Sequence, residues 1–452
     1  AIASILFKLG SREIYCAFEK KACKHNDAET SAIFFHTRLT TKRGFKLLKC
    51  FVRLKNGEER LLGNRLLWVR GKMTPVHIPH KKHELTAGIN LVGLFRYELG
   101  IGEGARLNAQ ALKTTSIPHA LVEAPFTANC ASTNTTFQNQ YHAALPHCIN
   151  LFHFNAPEMK TVRSRWGRVF RNGQTNIGYW AWELPKLPDS WKPYISELAE
   201  IWVPSQFVKD ALQPDVTIPV HVVPHPVVQR KPSNSTFSDY DLPKDKFLLL
   251  CTYDLNSYTG RKNPQATLEA FKLAYKHDPH LHLVLKINNA ENHPEALNAL
   301  QSSLPQSATL ITETLSRPKL TELQAACSAF ISLHRSEGFG LNLAECMALG
   351  KPVIATGWSG NMEFMTPQNS CPVAYKLIEI ERTEGPYEKG QIWADPSPED
   401  AAQYILKLAH DSDYYKKIAY NAGKHLNTQF SLQNIGNAIN THYKRILTHS
   451  YT

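Results

Sequence analysis

Two carboxylates, Glu337 and Glu345, lie eight positions apart in a stretch that also contains Gly338 and Gly340. A carboxylate just before a helix can accept hydrogen bonds from ligand hydroxyls, and a second one about two turns further on can do so elsewhere on the ligand. Glycine allows close backbone approach, and the free N–H groups of a first helical turn bind anions such as a diphosphate. Either glutamate alone is better explained by capping or solvation. The four residues together predict a site for an elongated, hydroxyl-rich diphosphate.

The surrounding sequence predicts the elements that position these residues. AFISLH predicts a strand, RSEGFG a loop, LNLAECMALG a helix with Gly350 at its C-terminal cap, and KPVIATG the next strand. Ligands of doubly wound sheets bind beyond the carboxyl ends of the strands, where loops lead into helices. The ligand site is therefore predicted at such an end.

Apolar strand-like runs alternate with helical segments over most of the chain from Gly88 onward, which is typical of βα units around parallel sheets. A proline-rich segment, VVPHPVVQRKPSNSTFSDYDLPKDK, separates two such series and predicts a hinge. The predicted fold class is α/β, with two doubly wound Rossmann-like domains facing a cleft. The predicted segments are 1–84, 85–225, 226–430 and a final helix at 431–452.

The first segment, residues 1–84, is predicted to be a small β-rich, basic module with a linker. Of the 51 basic and 39 acidic residues in the chain, 18 and 7 fall within it, which leaves 33 and 32 in the rest. Such an excess attracts anionic lipid, an acidic glycan or nucleic acid, and a solvated basic face is an equal alternative. His77, His80 and His83 lie among prolines in this linker, and no metal site is expected there.

The spacing of the cysteines and the distribution of apolar residues bear on the cellular location of the protein. Nine cysteines occur without any CxxC pair, which favours a reducing, cytoplasmic location. No run of about 18 apolar residues predicts a membrane-spanning helix, and the first ten residues do not predict a signal peptide.

The stretch SEGFGLNLAECMALGKPVIATGWSGNMEF resembles the E-x7-E motif of GT-B glycosyltransferases of group 1 (family 4-like), and the similarity extends over residues 88–445. GYWAWELPKLPDSW and EIWVPSQFVKDAL resemble a bacterial branch of this family that builds surface polysaccharides. The resemblance implies that Glu337 contacts the donor sugar and that Glu345 binds the nucleotide ribose. The other donor-site residues that it implies are Gly338, Phe339, Gly340 and Leu341.

The same resemblance implies contacts from the N-terminal domain. GLFRYELGIGEGAR resembles the family's glycine loop, which makes Gly102, Glu103 and Gly104 candidates for acceptor and donor-phosphate contacts. LFHFNAPEM matches the position of the family's active-site histidine, so His153 is a candidate sugar contact. By itself, a lone histidine after an apolar run is more often a packed residue. The last helix, FSLQNIGNAINTHYKRIL, resembles one that crosses back to the N-terminal domain.

The cations for the diphosphate depart from the family pattern, which has an arginine and then a lysine several positions later. In YDLNSYTGRKNPQATLEAF, Lys262 matches the lysine, but the arginine position falls near Asn256. Arg261 or Lys286 is expected to supply the missing charge. Exposed charges at helix ends are the alternative.

Further contacts are predicted on the N-terminal side. Tyr179, Trp180 and Trp182 form either a sugar-stacking platform or part of the core, and core is the favoured interpretation because alternation sends both tryptophans to one face. Glu183, at the end of that strand, is a candidate acceptor contact.

The segment MKTVRSRWGRVFR predicts a basic, partly amphipathic helix that would contact an anionic membrane or acceptor, or would simply be exposed. Its basic and aromatic residues are Arg163, Arg165, Arg168, Arg171, Trp166 and Phe170.

The resemblance implies a hexosyltransferase-type glycosyltransferase that uses a UDP- or GDP-linked sugar and retains anomeric configuration. The acceptor is expected to be a glycan or a lipid-linked molecule in surface polysaccharide or glycoconjugate synthesis, with peripheral contact to the inner face of the membrane. No metal, other cofactor or nucleic acid is expected. The alternative is a non-catalytic protein of this fold whose basic N-terminal module binds an anionic membrane or nucleic acid.

Overall fold

The computed structural model describes the backbone of 2–9, 12–16, 44–54 and 59–69, and backbone and side chains of 85–128, 130–142, 144–167, 173–230 and 242–448. The backbone of residues 449–450 completes the last helix. Residues Ala1–Lys82 form one compact unit and His83–Thr452 a second one.

The first unit contains four antiparallel strands in the order β2-β1-β3-β4. They are β1 (Ile2–Leu9), β2 (Arg12–Cys16), β3 (Gly44–Leu54) and β4 (Glu59–Val69). Residues 17–43 of the predicted module and the three linker histidines lie outside the described residues.

The second unit begins with a six-stranded parallel sheet in the order β10-β9-β8-β7-β5-β6. Its strands are β5 (Thr86–Gly93), β6 (His119–Glu123), β7 (His147–His153), β8 (Thr175–Tyr179), β9 (Glu200–Val203) and β10 (Val220–Val222). Its helices are α1 (Gly100–Leu112), α2 (Ala156–Trp166) and α3 (Gln206–Leu212), with a 3-10 helix at Asp189–Glu197. We call this the N-domain.

A second six-stranded parallel sheet follows, in the order β13-β12-β11-β14-β15-β16. Its strands are β11 (Phe247–Asp254), β12 (Leu281–Asn288), β13 (Ala308–Ile311), β14 (Ala329–Ser332), β15 (Val353–Thr356) and β16 (Cys371–Val373), and a hairpin of β17 (Tyr375–Glu379) and β18 (Ile392–Pro396) is added. Its helices are α4 (Thr259–Lys262), α5 (Pro264–Tyr275), α6 (Pro294–Ser303), α7 (Arg317–Ala326), α8 (Leu341–Ala348), α9 (Pro398–His410) and α10 (Ser412–Gln429). We call this the C-domain.

The last helix, α11 (Leu432–Ser450), packs on the N-domain rather than on the C-domain that precedes it. Its residues Ile435, Ile439, Tyr443 and Ile446 recur every three or four positions, so they share one helical face. All four are buried in the same cluster as residues of α1 and of β5. The helix therefore completes the core of the N-domain.

The aromatic residues at the end of β8 alternate between the two faces of the N-domain sheet. Trp180 and Trp182 are buried in the core on one face, and Tyr179 is buried in the core on the other. The core interpretation of the two tryptophans agrees with this packing.

Two parallel sheets flanked by helices confirm the predicted fold of two doubly wound domains. None of the described helices combines the length and the apolar character needed to cross a membrane.

Candidate active site

The carboxyl ends of both sheets face a cleft that holds a cavity of about 740 Å³, lined by both domains. Because β11 and β14 are neighbours, the segments that follow them lie side by side at this edge. The first segment carries Arg261 and Lys262, and the second carries Glu337. All three residues line the cavity.

Glu337 is held by two cations. Lys262 Nζ lies 2.5 Å from Oε1 of Glu337, and Arg261 Nη1 lies 3.3 Å from Oε2. Arg261 is buried and also donates to the carbonyl of Ser336 at 2.9 Å. Burial alone would raise the pKa of Glu337, but Lys262 and Arg261 lower that pKa to about 2. Glu337 is therefore an ionised acceptor for ligand hydroxyl groups.

The loop before α8 approaches the N-domain closely. A Cβ on Gly338 would lie 3.0 Å from the carbonyl oxygen of Trp182, and Gly340 has a φ of +92°, which favours glycine. The main-chain N–H groups of Glu337 and Gly360 are hydrogen-bonded to Ser359 and to Glu337, respectively. Gly350 follows α8 with a φ of +70°, which agrees with its predicted capping position.

Four of the predicted donor-site residues in this segment line the cavity, and they are Gly338, Phe339, Gly340 and Leu341. The ring of Phe339 nevertheless packs into the C-domain core against Phe364 and Phe430. Its side chain thus has a structural role in addition to any donor contact.

Glu345 lies in a buried charge network that joins the two domains. Arg317 Nη1 lies 2.9 Å and Arg230 Nη1 3.2 Å from its carboxylate, and Gln324 donates to it at 3.3 Å. The same two arginines reach Glu103 of the N-domain, at 3.2 Å and 2.8 Å. Sequence reasoning missed both arginines, because the network forms only when α1, α7, α8 and the interdomain segment meet.

The glycine loop of the N-domain differs from its prediction. Gly102, Glu103 and Gly104 lie in the first turns of α1, and of the three only Glu103 lines the cavity. A Cβ on Gly102 would meet the carbonyls of Tyr97 and Leu94 at 2.6 and 2.7 Å, so this glycine is needed for packing. Burial would raise the pKa of Glu103, but the neighbouring arginines lower it to about 2.

His153 lies at the carboxyl end of β7 and lines the cavity, but it is almost fully buried. Its Nε2 is 2.9 Å from Asn108 Nδ2, and its ring stacks on Tyr179 with centroids 4.2 Å apart. Burial, aided by His225, lowers the pKa of His153 far below its ordinary value. A neutral imidazole is therefore presented at the cleft, and its buried Nδ1 has no hydrogen-bond partner among the residues that the structure describes. Its sugar contact stays a prediction.

Lys286 is the remaining predicted cation for the diphosphate. Lys286, at the end of β12, lines the cavity and donates to the carbonyl of Ile287 at 3.1 Å and to the side chain of Asn288. Burial lowers the pKa of Lys286 to about 8. Asn256, near which the family pattern would have its arginine, is hydrogen-bonded to His293 at 2.8 Å.

The basic helix predicted after β7 is α2, which ends at Trp166. Arg163 and Arg165 are exposed on it, and Arg163 pairs with Glu197 at 2.9 Å. Arg168, Phe170 and Arg171 lie outside the described residues.

These two facing domains define a GT-B fold, which is shared with solved structures of low sequence identity. Anabaena HepE in complex with UDP and glucose has a TM-score of 0.55 and 14% identity, over 80% of this chain and 100% of that one. A glycosyltransferase from Rickettsia africae has a TM-score of 0.57 and 19% identity, over 80% and 98%. The sucrose-phosphate synthase of Thermosynechococcus elongatus has a TM-score of 0.57 and 14% identity, over 80% and 99%.

A sequence profile of one family matches part of the chain. Residues 235–425 match the sequence profile of the family "Glycosyl transferases group 1", which supports the predicted group 1 resemblance for the C-domain. Longer solved structures also match, and the chain spans 54–57% of their length. Among curated proteins, no sequence matches this one.

Proposed function

We propose that this protein transfers a hexose from a nucleotide-diphosphate sugar to a glycan or a lipid-linked acceptor. The observation that carries the proposal is the ionised Glu337, held by Lys262 and Arg261 in a cleft between two GT-B domains. A group 1 profile that covers this part of the C-domain supports it. The UDP and glucose in the HepE structure make a UDP-linked hexose the first donor to test, with a GDP-linked one as the alternative.

The proposed donor lies along the C-domain edge of the cleft. Glu337 accepts hydrogen bonds from the sugar hydroxyls. Glu345 gives up one of its arginine contacts and accepts hydrogen bonds from the ribose hydroxyls instead. The diphosphate lies between them, where Lys262, Lys286 and the first N–H groups of α8 stabilise the charge that develops as it leaves. The transfer is proposed to retain the anomeric configuration of the sugar, as the family resemblance implies.

The protein is further proposed to act in the synthesis of a glycoconjugate at a membrane surface. Synthesis of surface polysaccharide or another glycoconjugate at the inner face of a membrane would suit the basic excess of residues 1–84, since Lys and Arg are attracted to anionic lipid.

Nucleotide-sugar binding and turnover test the proposal. UDP-glucose or GDP-mannose should raise the melting temperature, and nucleotide should be released when acceptors are supplied. Glu337→Gln and Lys262→Ala should lower kcat by roughly 10²- to 10³-fold, the usual effect of removing a group that stabilises transition-state charge.

Matched controls are Glu399→Gln and Lys416→Ala, which alter exposed helix residues away from the cleft. Both should keep wild-type turnover. Unchanged turnover in the Glu337 and Lys262 variants would reject the site, and failure of every nucleotide sugar to bind would reject the function.

A further inference from the structure

A turn of the N-domain reaches the donor loop of the C-domain and carries a third carboxylate. Ser336 Oγ donates to the carbonyl of Glu183, and Gly338 faces the carbonyl of Trp182. The buried ring of Trp182 lies between Trp191 and Tyr387, with centroids 5.2 and 5.7 Å away. The main chain at Glu183 is thus fixed beside the residue that precedes Glu337.

The side chain of Glu183 lines the cavity and differs from the other N-domain carboxylates there. Glu98 and Glu103 each contact Arg106, at 3.4 and 2.8 Å. Within the described residues, Glu183 has no cation within ion-pair distance, and its side chain accepts only the hydroxyl of Tyr387, at 3.3 Å. A carboxylate that is positioned but not neutralised is available to a substrate.

We propose that Glu183 accepts the proton of the acceptor hydroxyl during sugar transfer, an inference that rests on the proposed function. The acceptor O–H proton moves to the Glu183 carboxylate, and the oxygen forms a bond to the anomeric carbon on the face from which the diphosphate departs, so the proposed retention of configuration is kept. The bond from that carbon to the diphosphate oxygen breaks, and its electron pair leaves with the diphosphate.

The electrostatic surroundings agree with different tasks for the two glutamates. Burial raises the pKa of Glu183, with Glu337 adding to that effect and Arg261, Lys262 and the Tyr387 hydroxyl opposing it. Glu337, in contrast, stays ionised because its two cations outweigh its burial. Paired groups whose pKa values are driven apart are typical of acid–base sites, and a base gains strength as its pKa approaches the working pH.

Turnover should depend on pH through the ionisation of Glu183. Glu183 must be ionised to accept a proton, so kcat should fall as the pH drops through its raised pKa. Tyr387→Phe removes a donor that favours the ionised form, so this variant should shift the acid limb of the profile to higher pH.

The test uses the full chain with UDP-glucose and GDP-mannose as donors and a panel of p-nitrophenyl hexosides as acceptors. Glu183→Gln should lower kcat by roughly 10²- to 10³-fold, while the Kd for UDP or GDP stays within about twofold. Its acid limb should disappear. Glu183→Ala should regain activity when formate is added, because formate can take the proton in the space left by the side chain.

Glu123→Gln is the matched control. Glu123 is another N-domain carboxyl whose pKa is raised by burial, but it pairs with Arg96 and does not line the cavity. Its variant should keep the wild-type rate and pH profile.

Three results would overturn the inference. One is a Glu183→Gln variant with the wild-type rate and acid limb, and another is a loss of nucleotide affinity equal to the loss of turnover, which would mark a structural role. The third is the absence of formate rescue in a folded Glu183→Ala variant. Failure of wild-type protein to bind any nucleotide sugar is recognisably different, because it rejects the proposed function first and this inference with it.

Discussion

Lys262 and Glu337 form a largely buried ion pair at the candidate donor site. The side chains of the two residues are only 18% and 12% exposed, so neither charge is well solvated. Removing one partner from a buried pair costs far more than removing both, because the remaining charge keeps its desolvation penalty. The contact therefore matters for stability as well as for any ligand.

A double-mutant cycle on this pair should show that asymmetry. Lys262→Met should lower the free energy of unfolding by about 2–4 kcal/mol, since Arg261 remains as a partial partner for Glu337. The double variant Lys262→Met/Glu337→Gln should recover much of that loss. Urea unfolding of the wild type, both single variants and the double variant measures the effect. Equal stability of the Lys262 variant and the wild type would contradict it.

The sequence predicted several residues of the site because their positions follow from strand order. Lys262 and Glu337 follow two apolar runs that become neighbouring strands, so their convergence needs only a parallel sheet. The partners of Glu345 were not predictable in this way. Arg230 reaches Glu345 from the interdomain segment and Arg317 reaches it from α7. No local sequence pattern indicates contacts between segments so far apart in the chain.

At the level of elements, α11 depends on a polar cluster as well as on its apolar face. Glu200 of β9 accepts from Arg445 at 2.6 Å and from the indole of Trp202 at 2.7 Å. His221 of β10 and His442 of α11 pack beside this ion pair, with ring centroids 4.6 Å apart. The cluster joins the last helix to the edge of the N-domain sheet.

This cluster should make the docking of α11 sensitive to acid. Burial, aided by His221 and Arg445, lowers the pKa of His442 from 6.5 to about 4. Below pH 6.5 the unfolded chain takes up a proton that the folded chain excludes, so stability present at neutral pH is lost as the pH falls towards 4. For a partly exposed group the loss is on the order of 1 kcal/mol.

The comparison of His442→Asn with the exposed-site control His277→Asn measures this contribution. Melting temperatures recorded from pH 7 to pH 4.5 should fall less steeply for the His442 variant than for the wild type. The control should follow the wild-type slope. Identical slopes for all three proteins would exclude His442 as a source of the acid sensitivity.

The elements themselves were largely predictable, because buried parallel strands form continuous apolar runs and the intervening helices are periodic. The segment DSWKPYISELA is an instructive difference. Its pattern predicts a helix, and the segment is a 3-10 helix that contains Pro193, whose ring would clash with the i−4 carbonyl of an α-helix. The hydrophobic pattern alone does not distinguish an α-helix from a 3-10 helix here, whereas the internal proline disfavours the α-helix.

At the scale of the second unit, two kinds of contact connect the N-domain and the C-domain across the cleft: ion pairs, and hydrogen bonds that involve the main chain. Arg230 and Arg317 bridge Glu103 and Glu345 across the domains. Ser205 of the N-domain donates to the carbonyl of Gly338 at 2.7 Å, and Glu363 accepts from the main chain of Gln206 at 2.7 Å. Domain closure therefore depends on contacts that also surround the candidate donor site.

If the two domains are coupled through this charge network, variants on opposite sides of the cleft should not be independent. Glu103→Gln and Glu345→Gln keep side-chain volume but remove the charges that share Arg317 and Arg230. Distant, unconnected sites add within about 0.3–0.5 kcal/mol, whereas members of one ion-pair network show interaction energies of about 0.5–3 kcal/mol. Urea unfolding of the wild type, both single variants and the double variant should give an interaction energy of about 0.5–3 kcal/mol for Glu103 and Glu345.

The control cycle pairs Glu103→Gln with Glu399→Gln, a change on the exposed start of α9 that shares no partner with Glu103. This pair should be additive. Additivity of the Glu103 and Glu345 variants as well would mean that the domains are held together by main-chain contacts such as that of Ser205 with Gly338. In that case a ribose could occupy Glu345 without weakening the closed cleft, because the arginines it displaces would not be the groups that keep the domains together.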